Sequence, residues 1–100
     1  MLYFTQIIFV KENHEDDFNL FESYVLPLLK RHNGTLIYRV RPTADCIIET
    51  TIDQPYELHL VTFPTRADFE GYSGDQDRLK HVHLKEASIE KAMLIEGKLL

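Results

Sequence analysis

Apolar residues occupy both parities of the opening segment: Leu2, Phe4, Ile8 and Val10 alternate against Tyr3, Ile7 and Phe9. That pattern predicts a strand covered on both faces. A helical period follows. Asn13 offers an N-cap, and Glu15, Asp16 and Asp17 lie where the helix dipole favours negative charge. Phe18, Phe21, Val25, Leu28, Leu29 and His32 then form one stripe, and Gly34 ends the helix. Pro27 falls inside this helix and should kink it, because it cannot donate to the Ser23 carbonyl.

Thr35 to Arg41 alternate as a second strand, with Leu36, Tyr38 and Val40 on one face and Ile37, Arg39 and Arg41 on the other. Pro42 closes it. The connection from 42 to 55 holds Cys46-Ile47-Ile48 as a short extra strand, and Asp53-Gln54-Pro55 turns the chain into a third strand, Tyr56 to Phe63. Thr65 and Asp68 make a variant capping box that starts a helix at Arg66. Gly71 and Ser73-Gly74 interrupt it, and Asp75 caps a second segment with Leu79, Val82 and Ala87 along one face. Residues 89 to 95 read as a last strand, closed by Gly97.

The element order is β-α-β-β-α-β over residues 1–100, a single α+β domain of the ferredoxin-like plan. Right-handed crossovers put both helices on one face of a four-stranded antiparallel sheet. Ile7, Phe9, Ile37, Val61 and Phe63 are not all on the parities those helices need, so an apolar sheet face is left over. A second copy of the sheet is the simplest cover, which predicts a homodimer.

A net charge of -5 repels phosphate backbones and anionic lipid, so neither nucleic acid nor membrane is an expected partner. One cysteine, Cys46, excludes an internal disulfide and a CxxC pair. The apolar start MLYFTQIIFV lacks a basic flank and is too short to span a bilayer, and a cytoplasmic protein is expected.

Three stretches carry a resemblance: the opening strand with its acidic helix start, LPLLKRHNGTLIYRV from 26 to 40, and VTFPTRADFEGY from 61 to 72 followed by Asp75. With these the chain resembles the dimeric α/β barrel superfamily, in which two ferredoxin-like sheets pack face to face, and within it small domains of uncharacterised function. The superfamily includes cofactor-independent monooxygenases, haem-degrading oxygenases, muconolactone isomerase and stress-induced proteins. The resemblance implies a ligand pocket between sheet and helices. It transfers no catalytic set.

His59 is the leading candidate for chemistry. It shares its parity with Val61 and Phe63, and reads either as a hydrogen-bonded core histidine or as a pocket acid or base. Arg39 and Arg41 project from one strand face, where they could hold a carboxylate or phosphate, or serve as edge charges paired with Glu49 or Glu57. Tyr72 could line the pocket with its hydroxyl or be a core aromatic, and so could Tyr38 and Tyr3. His81 and His83 are two apart, about 200° around a helix, so one ion cannot take both. The remaining histidines form no zinc spacing, and phosphate-loop and dinucleotide fingerprints are absent, so no metal or cofactor is expected. GYSGD lacks the second glycine of a nucleophile elbow, and YELHLVTF lacks the basic-aromatic run of an RNA-recognition strand. Two functions remain: a cofactor-independent small-molecule enzyme, monooxygenase- or isomerase-like, with its pocket at His59, or a non-catalytic ligand-binding or structural homodimer.

Overall fold

In the computed structural model, which describes residues 1–100, strands β1 (Leu2–Val10), β2 (Thr35–Val40), β3 (Glu57–Phe63) and β4 (Ile89–Gly97) build one sheet. Their order is β2-β3-β1-β4, with every neighbouring pair antiparallel. The helices α1 (Glu15–Val25), α2 (Arg66–Ser73), α3 (Gln76–Leu79) and α4 (Val82–Ser88) complete the α+β ferredoxin-like plan. β1 and β3 are central, and β2 and β4 form the edges.

The register decides which side chains meet the helices. Phe4 opposes Val61, Gln6 opposes His59 and Ile8 opposes Glu57, so all six share the helix-covered face. Val61 and Phe63 therefore lie beneath the helices and do not belong to the leftover face. That outer face holds Ile7, Leu58, Leu60, Met93 and Ile95 instead. The strict alternation expected for β2 fails at one residue. A bulge at Ile37 leaves Leu36 opposite Val61 but moves Tyr38 opposite Leu60 and Arg39 opposite His59. Leu36 and Arg39 thus share the inner face, while Tyr38 (63% exposed) and Val40 join the outer one.

α1 buries Phe18, Phe21, Glu22 and Val25, then gives way to a 3-10 helix at Leu26–His32. Pro27 stands in its first turn, so the missing N–H tightens the winding where a kink was expected. His14, not Asn13, is the N-cap, and Asn13 instead takes a left-handed turn with φ 68°. At the far end Asn33 supplies the left-handed residue (φ 60°), and the Gly34 N–H donates to the Leu29 carbonyl at 2.8 Å. Gly34 is required for space: a Cβ there would meet the Phe63 ring at 2.7 Å and the Leu29 side chain at 3.0 Å.

Residues 44–46 form a 3-10 turn in place of the extra strand expected at 46–48. The Thr43 hydroxyl bonds Asp45, a local side-chain bond that competes with extended backbone. The Thr65 cap of α2 is as expected, accepting from the Asp68 N–H at 3.1 Å. Asp75 caps α3 and also receives Arg31 at 3.1 Å and His32 at 2.7 Å, tying the 3-10 helix to the second crossover. Leu79 and Val82 are exposed, because the helix breaks between them and they share no face. Phe4, Leu29 and Phe63 centre the core, with Phe69 stacked on Phe4 at 4.3 Å. Each fully buried Phe contributes about 1.5–3 kcal/mol.

Candidate active site

Two residues apart on β3, Glu57 and His59 point to the same inner face and are 0% and 3% exposed. A buried carboxylate needs several donors, and Glu57 has three. Arg39 Nε donates to Oε2 at 2.9 Å, Arg41 Nε donates to Oε1 at 2.8 Å, and His59 Nε2 bonds Oε2. The bulge at Ile37 makes this possible by turning both arginines inward. Burial by itself would raise the Glu57 carboxyl. The hydrogen bonds from His59, Arg39 and Arg41 outweigh it and hold the group at about 2.

An ionised carboxylate only accepts, so in the neutral imidazole the proton is on Nε2 and the lone pair on Nδ1. Nδ1 has no protein partner, and His59 lines a cavity of about 360 Å³ between sheet and helices. The floor carries Phe4, Gln6, Val61 and Leu94, and the helices close it with Phe21, Phe69 and Tyr72. This is an aromatic chamber with a few polar groups, a form typical of small-molecule sites. A wider, open cleft of about 660 Å³ lies near Phe9, Arg41 and Tyr56, without such a dyad.

Glu22 reaches the same cavity from α1 and is 4% exposed. Burial raises its carboxyl from 4.5 to about 7, with Glu57 adding to the rise and His59, Arg39 and Arg78 opposing it. Two titratable groups, His59 and Glu22, thus line one cavity. Groups so placed can take a proton from one atom of a ligand and return it to another.

Of the residues singled out in the sequence, His59 and Tyr72 line the cavity. The Tyr72 hydroxyl donates to the Val25 carbonyl at 3.2 Å, and burial raises its pKa. Arg39 and Arg41 do not line it; both are engaged by Glu57 and stand behind His59. Glu49 takes no part, whereas Glu57 is the partner of both. Tyr38 faces the opposite side of the sheet. His81 stacks on Tyr24 at 4.0 Å between ring centres. No three His, Cys, Asp or Glu side chains converge as a metal site. Glu22 and Arg78 escaped the sequence reading. The signal for Glu22 was a carboxylate inside the apolar arc of Phe18, Phe21 and Val25; Arg78 gave none, because it lies in a broken helix without period.

No protein-family model matches the chain, and no curated protein does. Solved structures do. A protein of unknown function from Rhodopseudomonas palustris superposes with a TM-score of 0.83 at 14% identity, over 99% of this chain and 82% of its own. A DABB family protein with a ferredoxin-like fold from Mesorhizobium loti gives 0.68 at 19%, over 99% and 96%. A dimeric ferredoxin-like protein of unknown function from Jannaschia sp. CCS1 gives 0.72 at 16%, over 98% of both chains. At these identities the likeness establishes the ferredoxin-like fold.

Proposed function

We propose that the protein is a homodimeric, cofactor-independent enzyme that moves a proton on a small organic molecule held between sheet and helices. The observation that carries this reading is His59: buried, lining the cavity, and oriented by a carboxylate that two arginines keep ionised. His59 Nδ1 is the base, Glu57 fixes the ring, and Glu22 is the second proton carrier. Exchange of an acidic C–H is the minimal reaction. In D2O the enolisable ketone 2-tetralone should take up deuterium faster with the protein than without it, and the His59→Gln variant should lose that gain. Exchange unaltered by the protein would refute the catalytic reading.

Dimerisation is part of the proposal. The outer sheet face exposes Tyr38, Val40, Met93 and Ile95 at 43–63%. Ile7, Leu58 and Leu60 continue the apolar surface between them. An apolar face of this extent suits a two-fold sheet-to-sheet contact. The Jannaschia counterpart is described as dimeric. Sedimentation equilibrium at micromolar concentration should give about twice the 11.8 kDa chain mass. No helix is long and apolar enough to cross a membrane. We place the protein in the cytoplasm, since its lone exposed Cys46 leaves no internal disulfide to maintain.

A second reading, a non-catalytic ligand-binding or structural dimer, is favoured by one observation: His59 Nε2 is already engaged by Glu57. Ligand binding without deuterium exchange would select it. A thermal-shift screen of small aromatic and lactone compounds serves both readings, since about 2.7 kcal/mol of stabilisation is expected at a hundredfold excess over Kd.

A further inference from the structure

The helix wall of the cavity presents two polar groups that the chain leaves unsatisfied. Glu22 is 4% exposed, lines the cavity, and its carboxyl makes no hydrogen bond within the chain. Arg78 Nε is buried without a partner. The Arg78 guanidinium lies 5.0 Å from the Tyr72 ring centre and 5.9 Å from that of Phe21, packed against two aromatic rings. Native proteins seldom leave a buried group like Arg78 Nε bare, and beside the unpartnered Glu22 carboxyl at the same cavity it points to a ligand atom that completes the pair.

The chemistry of that atom follows from the donors. An arginine N–H only donates, and a protonated carboxyl has an O–H to donate. Their common complement is an oxygen acceptor, and a negative charge on it gains most from the guanidinium. Around it the walls are Phe4, Phe21, Phe63 and Phe69, which suit a flat apolar body. We propose that Glu22 and Arg78 form the recognition site for the anionic oxygen of a small aromatic weak acid, a carboxylate, phenolate or enolate, and that this ligand binds together with a proton on Glu22. The inference rests on the cavity being the ligand site, but it does not require turnover.

The proton follows from the charges facing Glu22. His59 and Glu57 face it from β3 and Arg39 from β2, Arg78 acts from α3, and Tyr72 of α2 and Lys85 of α4 line the same cavity. Burial already brings the carboxyl to about 7, and an anion beside it raises it further. A bound anion and an ionised Glu22 therefore exclude one another.

The probe is 2-naphthoate, whose fluorescence is unobscured because the chain has no tryptophan. Calorimetry at about pH 7.5 in two buffers of different ionisation enthalpy should show uptake of most of one proton per ligand. Affinity should fall roughly tenfold between pH 6 and pH 8. Glu22→Gln keeps a donor and cannot titrate, so it should bind 2-naphthoate with neither proton uptake nor that pH dependence. Arg78→Met preserves the apolar contacts and should weaken 2-naphthoate at least tenfold, while leaving the neutral 2-naphthalenemethanol unchanged. Melting curves confirm folding, and the neutral Arg78→Gln stands in if the methionine variant does not fold. Failure of 2-naphthoate to bind, proton uptake that persists in Glu22→Gln, or equal losses for both ligands would overturn the proposal. Loss of 2-tetralone exchange alone would refute the catalytic reading and leave this one standing.

Discussion

Replacing Glu22 by glutamine should make the protein more stable, by an amount that grows as pH rises from about 4.5 through 7. The folded carboxyl sits at about 7, against 4.5 in the unfolded chain. Between those values the folded state keeps a proton that the unfolded state releases. The favourable contribution is complete below about pH 4.5 and is lost as pH rises through 7. The displacement corresponds to on the order of 3 kcal/mol, so wild type at pH 8 carries that much penalty relative to pH 4. Glutamine has nearly the same shape and no charge to bury. Urea unfolding at fixed protein concentration should show little difference between Glu22→Gln and wild type at about pH 4.5, and a gain of about 2–3 kcal/mol at pH 8. For a chain of this length that is a rise in Tm of roughly 10 °C. An equal increment at both pH values, or none at pH 8, would mean that the Glu22 carboxyl is solvated and the cavity is not the apolar space described above.

The other carboxylate of the site should behave with the opposite sign. Glu57 is held at about 2, so its contribution is present above 4.5 and disappears as pH falls toward 2. Glu57→Gln should cost about 3 kcal/mol at pH 7 in the same urea assay, because Arg39, Arg41 and His59 lose their common partner; a neutral outcome would assign the cluster to the solvent-screened class. Gly34→Ala should destabilise by about 1–3 kcal/mol, since its methyl would overlap the buried Phe63 ring, and an unchanged Tm would show that Phe63 can yield. Leu60→Lys, at the middle of the outer face, should give a monomer in sedimentation equilibrium, and a persistent dimer would place the contact elsewhere.

Much of the architecture was legible because period and punctuation agree in this chain. Thr65 with Asp68, Asp75 and Gly97 mark ends that the structure keeps. The failures have separate causes. Asn13 and His14 are adjacent polar residues, and only backbone geometry shows that the asparagine takes the left-handed turn and leaves the cap to histidine. Ile47 and Ile48 have the composition of a strand, but the Thr43 and Asp45 side chains settle a turn just before them. The site was half visible. Glu57 and His59 at a spacing of two on a central strand announce a shared face, and Glu57 is a partner the sequence offers to the arginines. Its convergence with Glu22 and Arg78 depends on crossovers that bring residues 22, 59 and 78 together, and no local pattern encodes that.

The bulge at Ile37 also has a consequence for sequence alignment. Ile37 is the one residue of β2 between Leu36 and Tyr38 that has no partner on β3. A chain lacking it would keep Leu36, Arg39 and Arg41 inward, and Tyr38 and Val40 outward, with unbroken alternation. A relative without the bulge must therefore be aligned with a one-residue gap here. Placed without the gap, its inward residues fall against outward ones, and an intact arginine pair reads as lost. Two proteins sharing this ion cluster could then look unrelated at the positions that define it, by an offset of a single codon.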